Sequence, residues 1–435
     1  TDGDGNSDTA TENETVTYTD VLPDISVLKT AGVSTVPETG GDVEFTYVVT
    51  NNGNEAAEIT VLSDDKFGVL SGDDDCKVGT VIPAKSSCEF KSTFTIPAGD
   101  VPGSHTNVFT GTVTDGDGNS DTATENETVT YIGAYIQFIQ LTATNDINDP
   151  HTFTVTIMEN DGNGWDNASD EFVTFTLVNN SADASFVGGA NTCTTDSNGQ
   201  CTIQINSTSP GTVEIHGSVD VSLLNYILHR ETDGTLGSSS NATKTYKAGR
   251  IIIEKQTLPD GDAQSFPFIP SWGRGFSLVD GNTSISIWLA PGYHTIREDA
   301  PNTWDVGINC SDSNSGLVEF NTAGVYLEAD ETVTCVFTNT RHEGSILINK
   351  IIDADGNLQT TEDQTAGADW LFTVGGGYAD ISPSTSSPTG VNGSALFSGL
   401  RTGHYDIHES TLLGYDLIGA TCGSENGNLD GNTMY

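Results

Sequence analysis

The chain has 435 residues, of which 61 are acidic and 15 are Lys or Arg, giving a formal net charge of −46. So few cations cannot neutralise a phosphate backbone, and the carboxylates are repelled by anionic lipid headgroups, which excludes nucleic acid and anionic membrane surfaces as partners. The hydrophobic share is only 35%, yet Val, Ile, Phe and Thr recur throughout with 48 glycines between them. That is the composition of a folded, turn-rich chain of about three or four domains rather than of a disordered one. No apolar run approaches the ~20 residues that a membrane helix needs.

Helical periodicity is nearly absent, and alternation of apolar and polar residues at period two takes its place. It is clear in Val43-Glu44-Phe45-Thr46-Tyr47, Phe172-Val173-Thr174-Phe175 and Val333-Thr334-Cys335-Val336-Phe337. Between such runs lie Asn52-Gly53, Asp117-Gly118, Asn198-Gly199, Asp355-Gly356 and Asn392-Gly393, which tolerate the positive φ of tight hairpin turns. The expected class is all-β, a tandem array of β-sandwiches. The eighteen residues Thr1 to Tyr18, TDGDGNSDTATENETVTY, recur without a difference at Thr114 to Tyr131, the signature of a repeat array. Residues 1–18 are therefore expected to be the closing hairpin of one module, with a complete module at 19–131, and the chain reads as a window on a longer array.

In chain order, module 19–131 carries Ile25-Ser26-Val27-Leu28-Lys29-Thr30, Val36-Pro37-Glu38-Thr39-Gly40-Gly41-Asp42 and Val49-Thr50-Asn51-Asn52-Gly53. It resembles the conserved-repeat Ig-like domains of large bacterial and archaeal surface proteins. Module 132–247 carries Phe153-Thr154-Val155-Thr156-Ile157, Asp161-Gly162-Asn163-Gly164 and Ser209-Pro210-Gly211-Thr212-Val213, and resembles the group 1 bacterial Ig-like domain of intimin and invasin type. Residues 231–244, polar and rich in Ser and Gly, read as a loop or linker. Modules 248–342 and 343–435 open on Gly249-Arg250-Ile251-Ile252-Ile253-Glu254-Lys255 and Gly344-Ser345-Ile346-Leu347-Ile348-Asn349-Lys350. Both are similar to the prealbumin-like modules of collagen-adhesin B and SpaA-type pilins, and the second is expected to be incomplete.

That last resemblance implies chemistry. In the family a first-strand Lys and a last-strand Asn form an intramolecular isopeptide bond, with a central-strand Glu as acid and base. The matching positions are Lys255, Asn339 and Glu298. Burial would lower the amine pKa and raise that of the carboxyl, and enforced contact would supply the effective concentration. The same residues also fit an exposed strand Lys, a turn Glu and a polar Asn. In the last module Lys350 and Glu409 match, but the Glu298-to-Asn339 spacing counted from Glu409 runs past Tyr435, leaving Asn432, in a Gly-rich turn, as a weak substitute. Lys29 lies on a first strand with Asn51 and Asn107 on later ones, but no acid matches, and no crosslink is expected there.

Six of the seven cysteines pair locally, Cys76 with Cys88, Cys193 with Cys201 and Cys310 with Cys335, as staples of sandwiches in an oxidising compartment. Cys422 is left over, and a partner at the Cys310-to-Cys335 spacing would again fall past Tyr435. Asp115, Asp117, Asn119 and Asp121 alternate hard oxygen donors like the start of a calcium-binding loop, as do Glu159, Asp161, Asn163 and Asp166. However, Asn126 stands where such a loop needs its bidentate Glu, and an acidic hairpin is the favoured reading of the first cluster. No cofactor is required, and calcium is the ion these residues would take. Nothing resembles a nucleophile elbow, a phosphate loop or a His-containing metal motif, so turnover catalysis is not expected.

Taken together, the sequence points to a structural segment of a long secreted cell-surface stalk or filament protein. Its partners would be neighbouring repeats and, in a filament, identical subunits. The alternatives are an adhesin, with Trp165, Trp272, Trp288, Trp304 and Trp370 offering a ligand surface, and accessory modules of a larger secreted hydrolase.

Overall fold

The computed structural model describes residues 1–375, 385–401, 404–423, 429–430 and 433–434. Among these residues the chain is all-β save for the short 3-10 turn Val187–Gly189, and no helix is long and apolar enough to cross a membrane. It divides into two compact units, Thr1–Tyr246 and Lys247–Tyr435.

In the first unit, strands Ile25–Ala31, Gly41–Asn51 and Ser87–Ile96 form a three-stranded antiparallel sheet. Its inward residues share one core with those of Ala57–Asp64, Ser104–Asp115 and the start of Ser120–Phe138. Because side chains alternate in a strand, Val43, Phe45, Tyr47 and Val49 all point inward and are fully buried. Tyr47 stacks on Phe90 at 4.8 Å between ring centroids and meets Phe109 edge-on at 4.9 Å. Burying each such side chain stabilises the fold by roughly 1.5–3 kcal/mol.

Strand Ser120–Phe138 runs 19 residues without a break. Its residues 120–130 pair with Ser104–Thr114, and its residues 133–138 pair with Val155–Asn160, so one ten-stranded sheet continues from the first sandwich into the second. The expected division at residue 131 is therefore a change of strand partner and not a linker. The second sandwich is closed by a sheet containing Phe172–Val178, Gly211–Leu223 and Tyr226–Glu231. Residues 242–244, the end of the stretch 231–244 expected as a loop or linker, instead belong to strand Ala242–Lys247 on Gly211–Leu223, with Ala242, Lys244 and Tyr246 buried. Their polar composition concealed a period-two pattern in which one inward position is a lysine. The loop before them is also fastened, since Ser239 N donates to Ile136 O at 3.0 Å.

Residues 1–18 do not form the expected hairpin. The tip turn is present, with Asp2 Oδ1 accepting from Asp4 N at 3.1 Å and from Asn6 N at 2.9 Å, but no strand flanks it. The identical second copy has the same turn, with Asp115 Oδ1 accepting from Asp117 N at 3.0 Å and Asn119 N at 2.9 Å. There the flanking residues pair as strands and the sheet continues through Ala57–Asp64. The turn is a local preference of Asp, Gly and Asn, whereas the strands need neighbours.

The second unit contains a nine-stranded sheet in which Arg250–Leu258 lies parallel to Thr332–Arg341. Its core includes Ile251, Ile253, Phe266, Phe268, Val333 and Phe337. His342 separates this sheet from strand Glu343–Asn349, which pairs with Ser394–Arg401. A smaller core around Trp370, Phe372, Phe397 and Leu400 follows. The side chain of Asp262 fastens the two regions, accepting from Arg341 Nη1 at 2.8 Å and Arg401 Nη2 at 2.9 Å.

All three expected disulfides are present: Cys76–Cys88, Cys193–Cys201 and Cys310–Cys335. Cys193 and Cys201 lie on strands of opposite sheets, so the second staple crosses its sandwich. Cys310 and Cys335 are register partners on adjacent strands. The seventh cysteine, Cys422, is half-buried.

Candidate functional site

Lys255, Glu298 and Asn339 converge inside the second unit. Strand Arg250–Leu258 places Thr257 opposite Asn339 in parallel register, and Lys255, two residues earlier, shares the face of Thr257. Amine and amide are thus diagonal neighbours on the inner face. Glu298 ends strand Gly292–Glu298, with three strands between it and the strand of Asn339 along the sheet, so the sheet must curl back to bring it in. Asn339 Nδ2 donates to Glu298 Oε1 at 2.9 Å, and Lys255 Nζ lies 3.7 Å from the same oxygen. All three residues are 0–1% exposed, which removes the reading of an exposed Lys and a turn Glu.

The electrostatics of the site follow from its dryness. Burial pushes the Lys255 amine below the ordinary lysine range, against the pull of Glu298 and Asp280. Burial likewise pushes the Glu298 carboxyl up, against the pull of Lys255 and Asn339. Phe266 covers the amine, 4.3 Å from Nζ to the ring centroid. Lys255 Nζ donates to the carbonyls of Gln256 at 2.7 Å and Phe337 at 3.2 Å. Glu298 Oε2 and Asn339 Oδ1 are buried with no hydrogen-bond partner in the protein. Each is an acceptor that burial would normally require to be satisfied. An amine that burial makes easier to deprotonate, a carboxyl that burial makes easier to protonate and an amide with a bare carbonyl oxygen form a set suited to amide exchange.

In the last module Lys350 Nζ donates to both oxygens of Glu409, at 2.8 and 3.1 Å, beneath Trp370. The expected amide partner there, Asn432, lies outside the described residues. In the second sandwich Lys244 is fully buried and donates to Asn145 Oδ1 at 2.8 Å, and burial lowers its pKa to about 8. Unfolding restores the ordinary value of 10.5. The folded chain therefore takes up this proton less readily than the unfolded chain, and stability is lost as pH falls from 10.5 towards 8. Wild-type stability is expected to climb across that window and Lys244→Met to flatten the climb, as read from urea midpoints at each pH.

The acidic clusters serve the turns. Asp115 accepts from the backbone of its own hairpin, and Asp121 Oδ2 accepts from Ile25 N at 2.8 Å, pinning the first strand. Asp117 and Asn119 complete the same turn. Among the described residues the carboxylates that gather within 4.8 Å are Asp353, Asp355 and Asp363, a set that the alternation of ligands did not single out. Their spacing in sequence is irregular, because Asp363 comes from beyond the loop that the other two open. The five Trp side chains offer no exposed platform: Trp304 and Trp370 are buried, and Trp165, Trp272 and Trp288 are half-buried against Tyr135, His294 and Arg250.

No family model matches the sequence, nor does any curated protein. Among solved structures, the chain is similar to the Bacillus anthracis TIE protein at 14% identity and a TM-score of 0.37, covering 97% of this chain and 72% of that one. BcpA, the major pilin subunit of Bacillus cereus, matches at 10% identity and a TM-score of 0.32 over 66% of this chain and 95% of its own. The D00-D0 domain of intimin matches at 17% identity and a TM-score of 0.25, covering 48% of this chain and 96% of that one.

Proposed function

We propose that this chain is a load-bearing structural segment of a secreted surface or filament protein, in which an isopeptide bond between Lys255 and Asn339 locks one module. The observation that carries the reading is the buried Lys255–Glu298–Asn339 set, whose amine and amide sit on one carboxyl oxygen. The Lys255 amine attacks the Asn339 carboxamide carbon, Glu298 carries the proton to the departing nitrogen, and ammonia leaves. The event happens once per chain, so it matures the fold and turns over nothing. Three disulfides support an oxidising compartment. The acidic surface keeps neighbouring chains hydrated and apart.

Pulling single molecules from their ends tests this function. With the bond, the loop from Lys255 to Asn339 cannot extend, and about 30 nm of contour from that module is withheld. Release of that length in a reduced, otherwise native chain would overturn the reading.

A further inference from the structure

We infer that the first sandwich contains a second self-crosslinking centre, in which Lys29 and Asn107 form an isopeptide bond with Asp64 as the proton carrier. Lys29 occupies an inward position of strand Ile25–Ala31, where the alternation otherwise places Ile25 and Val27. Asp64 ends strand Ala57–Asp64, and Asn107 lies on the neighbouring strand Ser104–Asp115. The amine and the amide thus come from opposite sheets and meet in the core. Lys29 is 1% exposed, Asp64 3% and Asn107 0%.

One oxygen joins them. Asp64 Oδ2 accepts from Lys29 Nζ at 2.6 Å and from Asn107 Nδ2 at 3.2 Å. Its other oxygen is held by the backbone N–H groups of Lys66 at 2.9 Å and Phe67 at 3.2 Å, which fixes the carboxylate in place. The ring of Phe45 covers the amine at 4.6 Å. Burial pushes the Lys29 pKa down, against the pull of Asp64. Asn107 Oδ1 is buried without a hydrogen-bond partner in the protein, as is Asn339 Oδ1 in the second unit.

Asn51, the other candidate amide of this module, shows what a purely structural buried asparagine looks like. Its Nδ2 donates to Glu55 O at 2.7 Å and Ile82 O at 3.0 Å, and its Oδ1 accepts from Gly53 N at 2.9 Å. Both ends are satisfied by backbone. Asn107 has its amino group on an acid, its carbonyl oxygen bare and a desolvated amine on the same acid. The first sandwich therefore repeats, with Asp in place of Glu and on unrelated strands, the arrangement around Lys255. The acid was hidden in the sequence because it follows Lys29 by 35 residues and reaches it only across the two sheets.

The step balances without a further reactant. Asp64 takes a proton from the Lys29 ammonium, and the free amine attacks Cγ of Asn107. The Nζ–Cγ bond forms, the Cγ–Nδ2 bond breaks, and Asp64 Oδ2 passes a proton from Nζ to Nδ2, which leaves as ammonia. The product ties the two sheets of the sandwich together through an amide.

The inference extends the covalent reading of the Lys255 module but rests on its own residues, so the two are tested separately. The reduced full-length chain is weighed intact, then digested and sequenced by mass spectrometry. With both bonds the chain is lighter than its sequence by about 34 Da, and the digest yields a branched peptide joining Lys29 to Asn107. Asp64→Asn and Lys29→Arg each restore about 17 Da and abolish that peptide, while the peptide joining Lys255 to Asn339 is retained. Glu298→Gln does the converse. Should Asp64→Asn not fold, Lys29→Arg, which keeps the cation, carries the test. Linear peptides containing unmodified Lys29 and Asn107 from the folded wild-type chain would refute the inference, whatever happens at Lys255.

Discussion

Replacing Glu298 by Gln is expected to abolish a mass deficit of about 17 Da and to lower the melting midpoint of residues 248–342 by about 15 °C or more. The magnitude comes from chain entropy. A crosslink from Lys255 to Asn339 closes a loop of about 85 residues, and closing a loop of that length in the unfolded chain is worth about 4–5 kcal/mol. A domain of this size shifts its midpoint by roughly 4–8 °C for each kcal/mol. Gln fills the volume of Glu298 and keeps an acceptor for Asn339, but it carries no proton between Nζ and Nδ2. Calorimetry beside intact-mass measurement separates the covalent effect from mere loss of a buried hydrogen bond, which is worth about 1–3 kcal/mol and leaves the mass alone. A Glu298→Gln chain that still yields the branched peptide joining Lys255 to Asn339, or a wild-type chain that lacks it, would sink the proposed crosslink.

The second large effect belongs to the joint between the first two sandwiches. Arg230 and Glu38 are 5% and 8% exposed and paired through Arg230 Nη2 and Glu38 Oε1, although one lies in the second module and the other in the first. Arg230 also donates to Ala134 O at 2.6 Å and His229 O at 2.7 Å, and Tyr226 Oη donates to Thr35 O at 3.0 Å alongside. Gly133 sits where a Cβ would collide with the Glu38 carboxylate, so a larger residue on the shared strand would displace that carboxylate from its place beside Arg230. Arg230→Ala is expected to cost about 3–5 kcal/mol, because it leaves Glu38 charged, buried and unpaired. Arg230→Met with Glu38→Leu is expected to recover most of the loss, since neither partner is then left uncompensated. Urea unfolding of the four members of this cycle provides the check. An Arg230→Ala loss below about 0.5 kcal/mol would mean that the pair behaves as an exposed surface bridge.

Much of this architecture is legible in the residues. Period-two alternation and Asn-Gly or Asp-Gly turns give the strands, and local spacing gives the three disulfides. The positions Lys255, Glu298 and Asn339 follow from likeness to a crosslinked family. The joint was not legible, because neither Glu38 in a Pro-Glu-Thr-Gly turn nor Arg230 in a polar strand carries any mark of its partner 192 residues away. Strand Ala242–Lys247 was missed for a related reason. A buried Lys looks like a surface residue until the sandwich around it is known.

The two copies of TDGDGNSDTATENETVTY mark the boundary between these kinds of information. The Asp, Gly and Asn side chains close the same turn in both copies, since that turn needs only hydrogen bonds within five residues. Whether the flanking residues become strands is decided elsewhere, by whether a neighbouring strand supplies backbone partners and a core to cover. The proposed crosslinking centres obey the same division. The sequence by itself determined that Lys29 and Lys255 lie on first strands, because alternation is local. Only the tertiary structure decided that Asp64 and Asn107 meet Lys29, because a sandwich brings its two sheets together through burial, and burial turns a lysine, an acid and an amide into reactants.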